Sequence, residues 1–281
     1  MQKTSMPHHA ISQLSQINFR QFQPGRLLRP YVQSYWSIKR PAGGTALPTF
    51  FLHPDGGAGL VFNFGSVWSL NGEAFKTPYL FSGPTQQTSA LNLYNDVDAI
   101  GIRFHPGMAY PFMEQPLAEL RSHLSDPLSF ATRFSTVDLA DQLFDQPSNQ
   151  DQTIDRISVI EQHLSDCLRY TTNSAIDIRQ PLNWLNLHKG QASIEELTRA
   201  CSISQRQLER LFQREVGMTA KQYNKLQRVR NSRELIRTQR HNSSLSDIAL
   251  ISGYYDQAHF IREFKSVIGI TPGLFMSKLN E

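Results

Sequence analysis

Two short stretches place hydrogen-bonding side chains where base edges could be read. Gln205, Arg206, Glu209, Arg210 and Gln213 fall on one side of a helical repeat, opposite Leu208, Leu211 and Phe212. A guanidinium can fork onto guanine and a carboxamide onto adenine, which is the chemistry of reading a DNA major groove. Gln257, Ala258, Ile261 and Arg262 occupy the matching side of a second stretch, opposite Phe260, Phe264 and Ile268. Ala258 and Ile261 carry no hydrogen-bonding group, so this stretch would read bases weakly or through thymine methyls. Between the stretches, residues 221 to 240 hold seven cations (Lys221, Lys225, Arg228, Arg230, Arg233, Arg237, Arg240) against one anion, Glu234. Lys221, Lys225 and Arg228, with Ser204 and Lys265, are the candidates for phosphate contacts, which set position and affinity but not sequence. Either face alone would also suit a solvated helix surface; what separates the two readings is the pattern around them.

These residues need helices to position them. Ser193 with Glu196, and Ser204 with Gln207, are capping boxes that start two helices. Ile194, Leu197 and Ala200 give the first an apolar face, Ser202–Ser204 break the pattern, and Gly217 ends the second helix. The arrangement repeats. Phe212–Tyr223 (FQREVGMTAKQY) and Phe264–Phe275 (FKSVIGITPGLF) align at an offset of 52, and Ile194 and Leu197 answer to Leu245 and Ile248 at 51. In the second copy Gly253 marks the turn, Asp256 opens a helix, Gly269 closes it, and Thr271-Pro272 starts a last short one. Thr219 with Gln222 starts the basic helix, whose apolar positions are Tyr223, Leu226, Val229, Leu235 and Ile236. About 20 residues at 1.5 Å span roughly 30 Å. That is close to the ~34 Å between successive major grooves on one side of DNA.

On these residues, together with Leu182-Asn183-Trp184-Leu185 and the closing Gly-Ile-Thr-Pro at 269–272, the last ~105 residues resemble the DNA-binding domain of the AraC/XylS family of bacterial transcription regulators. The resemblance implies seven helices with two helix-turn-helix units joined by a long helix. It implies base-facing roles for Arg206, Glu209 and Arg210, and for Gln257, Ala258, Ile261 and Arg262. It further implies double-stranded DNA and RNA polymerase as partners. Two positions depart from the family pattern: Ser202 stands where glycine is common, and Ala220 where proline is expected.

Charge is divided in the same sense. Residues 1–172 carry 12 Lys and Arg against 14 Asp and Glu, while residues 173–281 carry 16 against 10. The positive half is the half with the repeat, as nucleic-acid binding requires. No apolar run approaches a membrane span, and MQKTSMPHHA has no apolar signal core, so a cytoplasmic, nucleoid-associated protein is expected. Cys167 and Cys201 are too few and too isolated for a disulfide framework or a metal site.

From Arg29 to Pro106 the signals are those of strands, near Tyr31–Ile38, Thr49–His53, Gly59–Asn63, Ser66–Leu70, Phe75–Phe81, Ser89–Tyr94 and Ala99–Phe104. Asn71-Gly72 is a hairpin signal. The expected architecture is α+β: a small antiparallel barrel or sandwich, cupin-like, with trailing helices at Pro116–Leu124, Pro127–Phe144 and Thr153–Tyr170, then an all-α domain. Arg29-Pro30-Tyr31-Val32, Tyr35-Trp36, His53-Pro54-Asp55-Gly56, Val61-Phe62-Asn63 and the run Gly101–Gly107 resemble an N-terminal domain found on some regulators of the family, and name no ligand. Arg103, Trp68 and Tyr94 are the candidates for binding a small-molecule effector, with Arg103 facing either an acidic effector or Asp96 or Asp98. His53, Asp55 and His105 have metal-ligand chemistry, but both histidines precede proline where loops begin, and no metal or cofactor is expected. The stripe Ile154, Ile157, Ile160, Leu164, Leu168 suits either intradomain packing or a homodimer seam. Thr171–Ala175 is the expected linker, dividing the chain into 1–172 and 173–281.

No Gly-rich phosphate loop, Gly-x-Ser-x-Gly or His-Glu-x-x-His motif occurs, so the reading is a non-enzymatic, effector-responsive regulator that reads two adjacent major grooves. The alternatives are a cupin-like metal enzyme fused to a helical module, and an adaptor whose helix-turn-helix units bind protein.

Overall fold

Alternation of apolar side chains along the strands divides the first half of the chain into layers. The computed structural model describes residues 14–75, 77–94, 96–113, 115–120, 124–125, 136–145, 152–169, 177–239 and 243–279. Its strands are β1 (Arg20–Phe22), β2 (Val32–Arg40), β3 (Phe50–Leu52), β4 (Gly59–Asn63), β5 (Trp68–Leu70), β6 (Glu73–Phe75), β7 (Tyr79–Ser82), β8 (Ser89–Leu93), β9 (Val97–Phe104) and β10 (Leu124–Ser125). They form two antiparallel sheets, ordered β1-β2-β9-β4-β7-β10 and β3-β8-β5-β6. Asn71 and Gly72 turn β5 into β6 with both φ angles positive, as a primed hairpin demands.

One face of the six-stranded sheet carries Tyr35, Phe62, Phe81, Ile102 and Phe104. It packs on two helices, α1 (Thr136–Phe144) and α2 (Thr153–Leu168), through Leu139, Leu143, Ile160 and Leu164. The other face carries Ile38, Val61, Leu80 and Ala99, and meets Phe50, Trp68 and Leu93 of the four-stranded sheet. The result is a layered sandwich and not the closed barrel that was one expectation. The two sheets share no ladder among the described residues, so their edges stay open.

Two details differ from the sequence reading, and a third follows one of its two alternatives. The run Phe75–Phe81 is two strands, because β6 pairs with β5 in one sheet and β7 with β4 in the other. Residues 117–120 form a turn and not the start of a helix: the Leu117 and Ala118 amides donate out of the segment, to Arg214 and Gln213. The apolar stripe of α2 is consumed within the domain, with Ile157, Ile160, Leu164 and Cys167 buried and only Ile154 clearly exposed. The linker Thr171–Ala175 and the first half of Pro127–Phe144, residues 127–135, lie outside the described residues.

The second half is α3 (Arg179–Leu187), α4 (Ile194–Cys201), α5 (Gln205–Glu215), α6 (Ala220–Gln239), α7 (Leu245–Ile251), α8 (Gln257–Ile268) and α9 (Pro272–Lys278), the seven helices expected. They close around Leu185, Leu197, Leu208, Phe212, Tyr223, Ile248, Phe260 and Phe264. Burying each such side chain stabilises the domain by about 1.5–3 kcal/mol relative to exposure.

Candidate nucleic-acid interface

Each helical unit is built from its caps outward. Ser193 and Glu196 form a reciprocal capping box on α4, Ser204 and Gln207 on α5, and Ser244 and Asp247 on α7. Each cap satisfies amides that the helix start leaves unpaired, and losing one costs about 1 kcal/mol. The turn after α4 puts Ser202 in the left-handed region, at φ 54°. This is the backbone reason that glycine is favoured there, and Ser202 accepts the strain. In the second unit Gly253 takes φ 79° and the Asp256 carboxylate accepts the His259 amide at the start of α8. Thr219 and Gln222 exchange hydrogen bonds at 3.0 and 2.8 Å where α6 begins.

These caps fix which side of each reading helix faces water. On α5, Gln205, Arg206, Glu209 and Arg210 are exposed and Gln213 is half-buried, while Leu208, Leu211 and Phe212 are buried. On α8, Gln257, Ala258, Arg262 and Lys265 are exposed and Ile261 is half-buried. Among the described residues, the side chains of Arg206, Arg210 and Arg262 make no hydrogen bond or ion pair. Their donors are therefore open to a ligand. Gln257 is oriented by Ser246, whose hydroxyl donates to its carbonyl oxygen at 3.1 Å.

The basic helix is less uniform than its sequence. Lys221 is exposed and Lys225 half-exposed, as phosphate contacts require. Ser204 serves α5 as its cap. Arg228 is turned inward, contrary to its expected place among the phosphate contacts. Its Nε donates to the Gly190 carbonyl at 2.9 Å, its Nη1 lies 3.8 Å from Glu263, and it stacks over Tyr254 at 5.4 Å. Arg233 points into a cavity of the N-terminal sandwich. Burial, then Arg237 and Arg230, push its pKa down to about 10. Helical periodicity sends 228 and 233 to the sides of α6 that neighbouring elements cover, which composition could not reveal.

That cavity, of about 490 Å³, lies between the sheets. Trp36, Phe50, Trp68 and Leu93 line its apolar body, and His53, Asp55, Arg103 and Arg233 also border it. Arg103 points to this side of β9, but its partner is Asp55 and neither expected acid. Asp98 is taken by Arg156 at 3.2 Å and Lys39 at 3.8 Å, and Asp96 accepts from Ser66. Of the three effector candidates, Arg103 and Trp68 line the cavity; Tyr94 does not, and its hydroxyl hydrogen-bonds the Ser69 hydroxyl at 3.1 Å instead. His53 lies 2.9 Å from the Thr88 hydroxyl, and His105 sits in the turn after β9.

Three backbone amides of the first half reach the carboxyl ends of the two reading helices. Leu117 and Ala118 donate to Arg214 and Gln213 of α5 at 2.8 and 3.2 Å, and Thr88 donates to Val267 of α8 at 2.9 Å. A helix leaves its last carbonyls without internal partners, so these contacts complete both reading helices from outside. Thr88, Leu117 and Ala118 were not singled out in the sequence, because the pairing joins positions far apart. The αL glycine Gly217, packed against Pro84 and Leu117, was its nearest local sign.

Comparison with known proteins gives the family. The family described as a helix-turn-helix domain matches residues 197–278. The C-terminal domain belongs to the AraC/XylS family. A domain of unknown function (DUF6597) matches residues 20–126. The chain is 31% identical over 99 residues to the uncharacterized HTH-type transcriptional regulator YbfP of Bacillus subtilis, spanning 35% of this chain and 33% of that protein. It is 30% identical over 90 residues to the transcriptional activator NphR of Rhodococcus sp, spanning 32% of this chain and 26% of that protein. The matches thus span about a third or less of these relatives' length. Among solved structures, ToxT of Vibrio cholerae is 10% identical over 88% of this chain and 98% of its own, with a TM-score of 0.43. The DNA-binding domain of AdpA, solved with a target DNA, is 21% identical over 37% of this chain and 93% of its own, with a TM-score of 0.34. At these scores the likenesses carry no residue roles. Among the described residues no helix is long and apolar enough to cross a membrane, and no cluster of three or more His, Cys, Asp or Glu side chains could hold a metal.

Proposed function

We propose that the chain is a sequence-specific DNA-binding transcription regulator, with a sensing unit over residues 1–172 and a reading unit over 173–281. The observation that carries this reading is the repeated exposure, on two capped helix-turn-helix units, of guanidinium groups with no partner among the described residues. Arg206, Glu209 and Arg210, with Gln205, would meet base edges in one major groove, and Gln257, Ala258, Ile261 and Arg262 those in the next. Lys221, Lys225, Lys265 and the Ser204 hydroxyl would meet phosphates. RNA polymerase is the protein partner this role calls for, and the cytoplasm, at the nucleoid, its place.

The sensing unit would take a small molecule between its two sheets. A volume of about 490 Å³ falls in the range of small-molecule sites. An anionic group on such a ligand would meet Arg233, because Arg103 is already neutralised by Asp55. Arg233 belongs to the helix that joins the two reading units, and Thr88 lies beside the cavity residue Ser89. A ligand there would act only by favouring one arrangement of the two units over another. The test is titration of the full chain with duplexes selected from random sequence. A regulator gives specific binding that weakens steeply with salt. Indifference to both sequence and salt would leave an adaptor that binds protein.

A further inference from the structure

The two reading helices offer different chemistry, and the difference names the bases the second one reads. On α5 the four exposed residues Gln205, Arg206, Glu209 and Arg210 all carry hydrogen-bonding groups. On α8 the exposed Ala258 and the half-buried Ile261 carry none. Immediately before α8 stands Tyr255, 94% exposed, the most exposed large hydrophobic side chain among the described residues. Its place is fixed from both sides. Tyr254 is buried against Phe260, and Asp256 caps the helix through the His259 amide. An aromatic ring is thus held at the mouth of the reading helix, uncovered by any of the described residues.

Ala258, Ile261, Arg262 and Lys265 follow at the spacing that shares one helix face. The charge beside this apolar strip selects its partner. Arg262 and Lys265 are exposed, Asp256 is engaged as a cap, and Glu263 faces Arg228 and His259. An apolar strip flanked by free cations fits a polyanion that presents methyl groups. The thymine C5 methyl is the only such group in the major groove.

We infer that the second unit recognises thymine through its methyl, with Tyr255, Ala258 and Ile261 forming the contact and Arg262 and Lys265 holding the adjoining guanine edge or phosphate. The inference rests on the DNA-reading function proposed above. It adds Tyr255 as a specificity-determining residue and assigns opposite reading modes to the two half-sites.

Replacing thymine by deoxyuridine removes the methyl and leaves every hydrogen-bonding edge in place. Using the full chain and its selected duplex, this replacement in the second half-site should weaken binding about fourfold for each methyl buried. The same replacement in the first half-site should change affinity less than about twofold, since hydrogen bonds do the reading there. The double variant Tyr255→Ala, Ile261→Ala should bind the thymine and deoxyuridine duplexes equally. A second half-site that lacks thymine, or one where deoxyuridine binds as well as thymine while the unmodified duplex is still bound specifically, overturns the inference and leaves DNA reading intact. Absence of specific binding to the unmodified duplex overturns both.

Discussion

Acidification should loosen the seat between the two halves of the chain through one histidine. His53 follows β3, approaches the Thr88 hydroxyl at 2.9 Å, and sets its ring edge-on to Phe275 of α9 at 6.4 Å. Burial pushes its pKa down to about 4, with Arg233 and then Arg237 adding to the effect. The unfolded chain would titrate near the ordinary value of about 6.5. The folded state therefore holds His53 neutral where the unfolded state takes up a proton. Stability is whole above about pH 6.5 and falls as the pH drops toward 4, by about 1.4 kcal/mol per unit. That is about 2 kcal/mol at pH 5 and about 3 kcal/mol near pH 4. His105 is lowered in the same direction, chiefly by burial, so its contribution has the same sign. Urea unfolding across pH 4.5–7.5, in the chain and in a His53→Gln variant that cannot charge, isolates His53. The variant should lose most of the slope. Equal slopes in the two proteins, or a His53 ring that titrates near 6.5 by NMR, would refute the reasoning.

Arg210→Ala should cost about 1–3 kcal/mol of specific binding and relax preference at one base position, measured by titration of a panel of single-base variants. Equal loss on every duplex would make Arg210 a phosphate contact. Lys225→Ala should weaken all DNA alike and reduce the slope of log affinity against log salt by about one. Arg228→Ala should instead lower folding stability by about 1–3 kcal/mol, since it leaves the Gly190 carbonyl without its donor and removes the cation 3.8 Å from Glu263, and should leave the salt slope unchanged. Gly190→Ala should destabilise the C-terminal domain by at least about 2 kcal/mol in thermal unfolding. Gly190 has φ 77°, and an added Cβ would collide with the backbone of Asn224 and Arg228.

The elements with local causes were legible and the couplings between elements were not. Ser193 with Glu196 and Ser204 with Gln207 announce their helices because a capping box closes within four residues. Asn71-Gly72 announces its hairpin because only residues tolerant of positive φ suit that turn. Arg103 shows the opposite case. Its alternation placed it on one side of β9, but choosing Asp55 over Asp96 or Asp98 required knowing that β9 passes the turn after β3. Residues 117–120 read as a helix because Pro116 and the apolar spacing fit one. The winning bonds go to α5, nearly a hundred residues downstream. The cations of α6 looked like one strip because composition does not say which faces a neighbouring domain covers. Arg228 and Arg233 are the two that this hid.

The spacing of selected sites tests the central claim most directly. Full-length protein should enrich, from random duplexes, two blocks of preferred bases whose centres lie about 10–10.5 base pairs apart, one turn of the helix. The roughly 30 Å of α6 permits that separation. A single enriched block, or two blocks offset by half a turn onto opposite sides of the duplex, would contradict two reading helices presented by one stiff connecting helix.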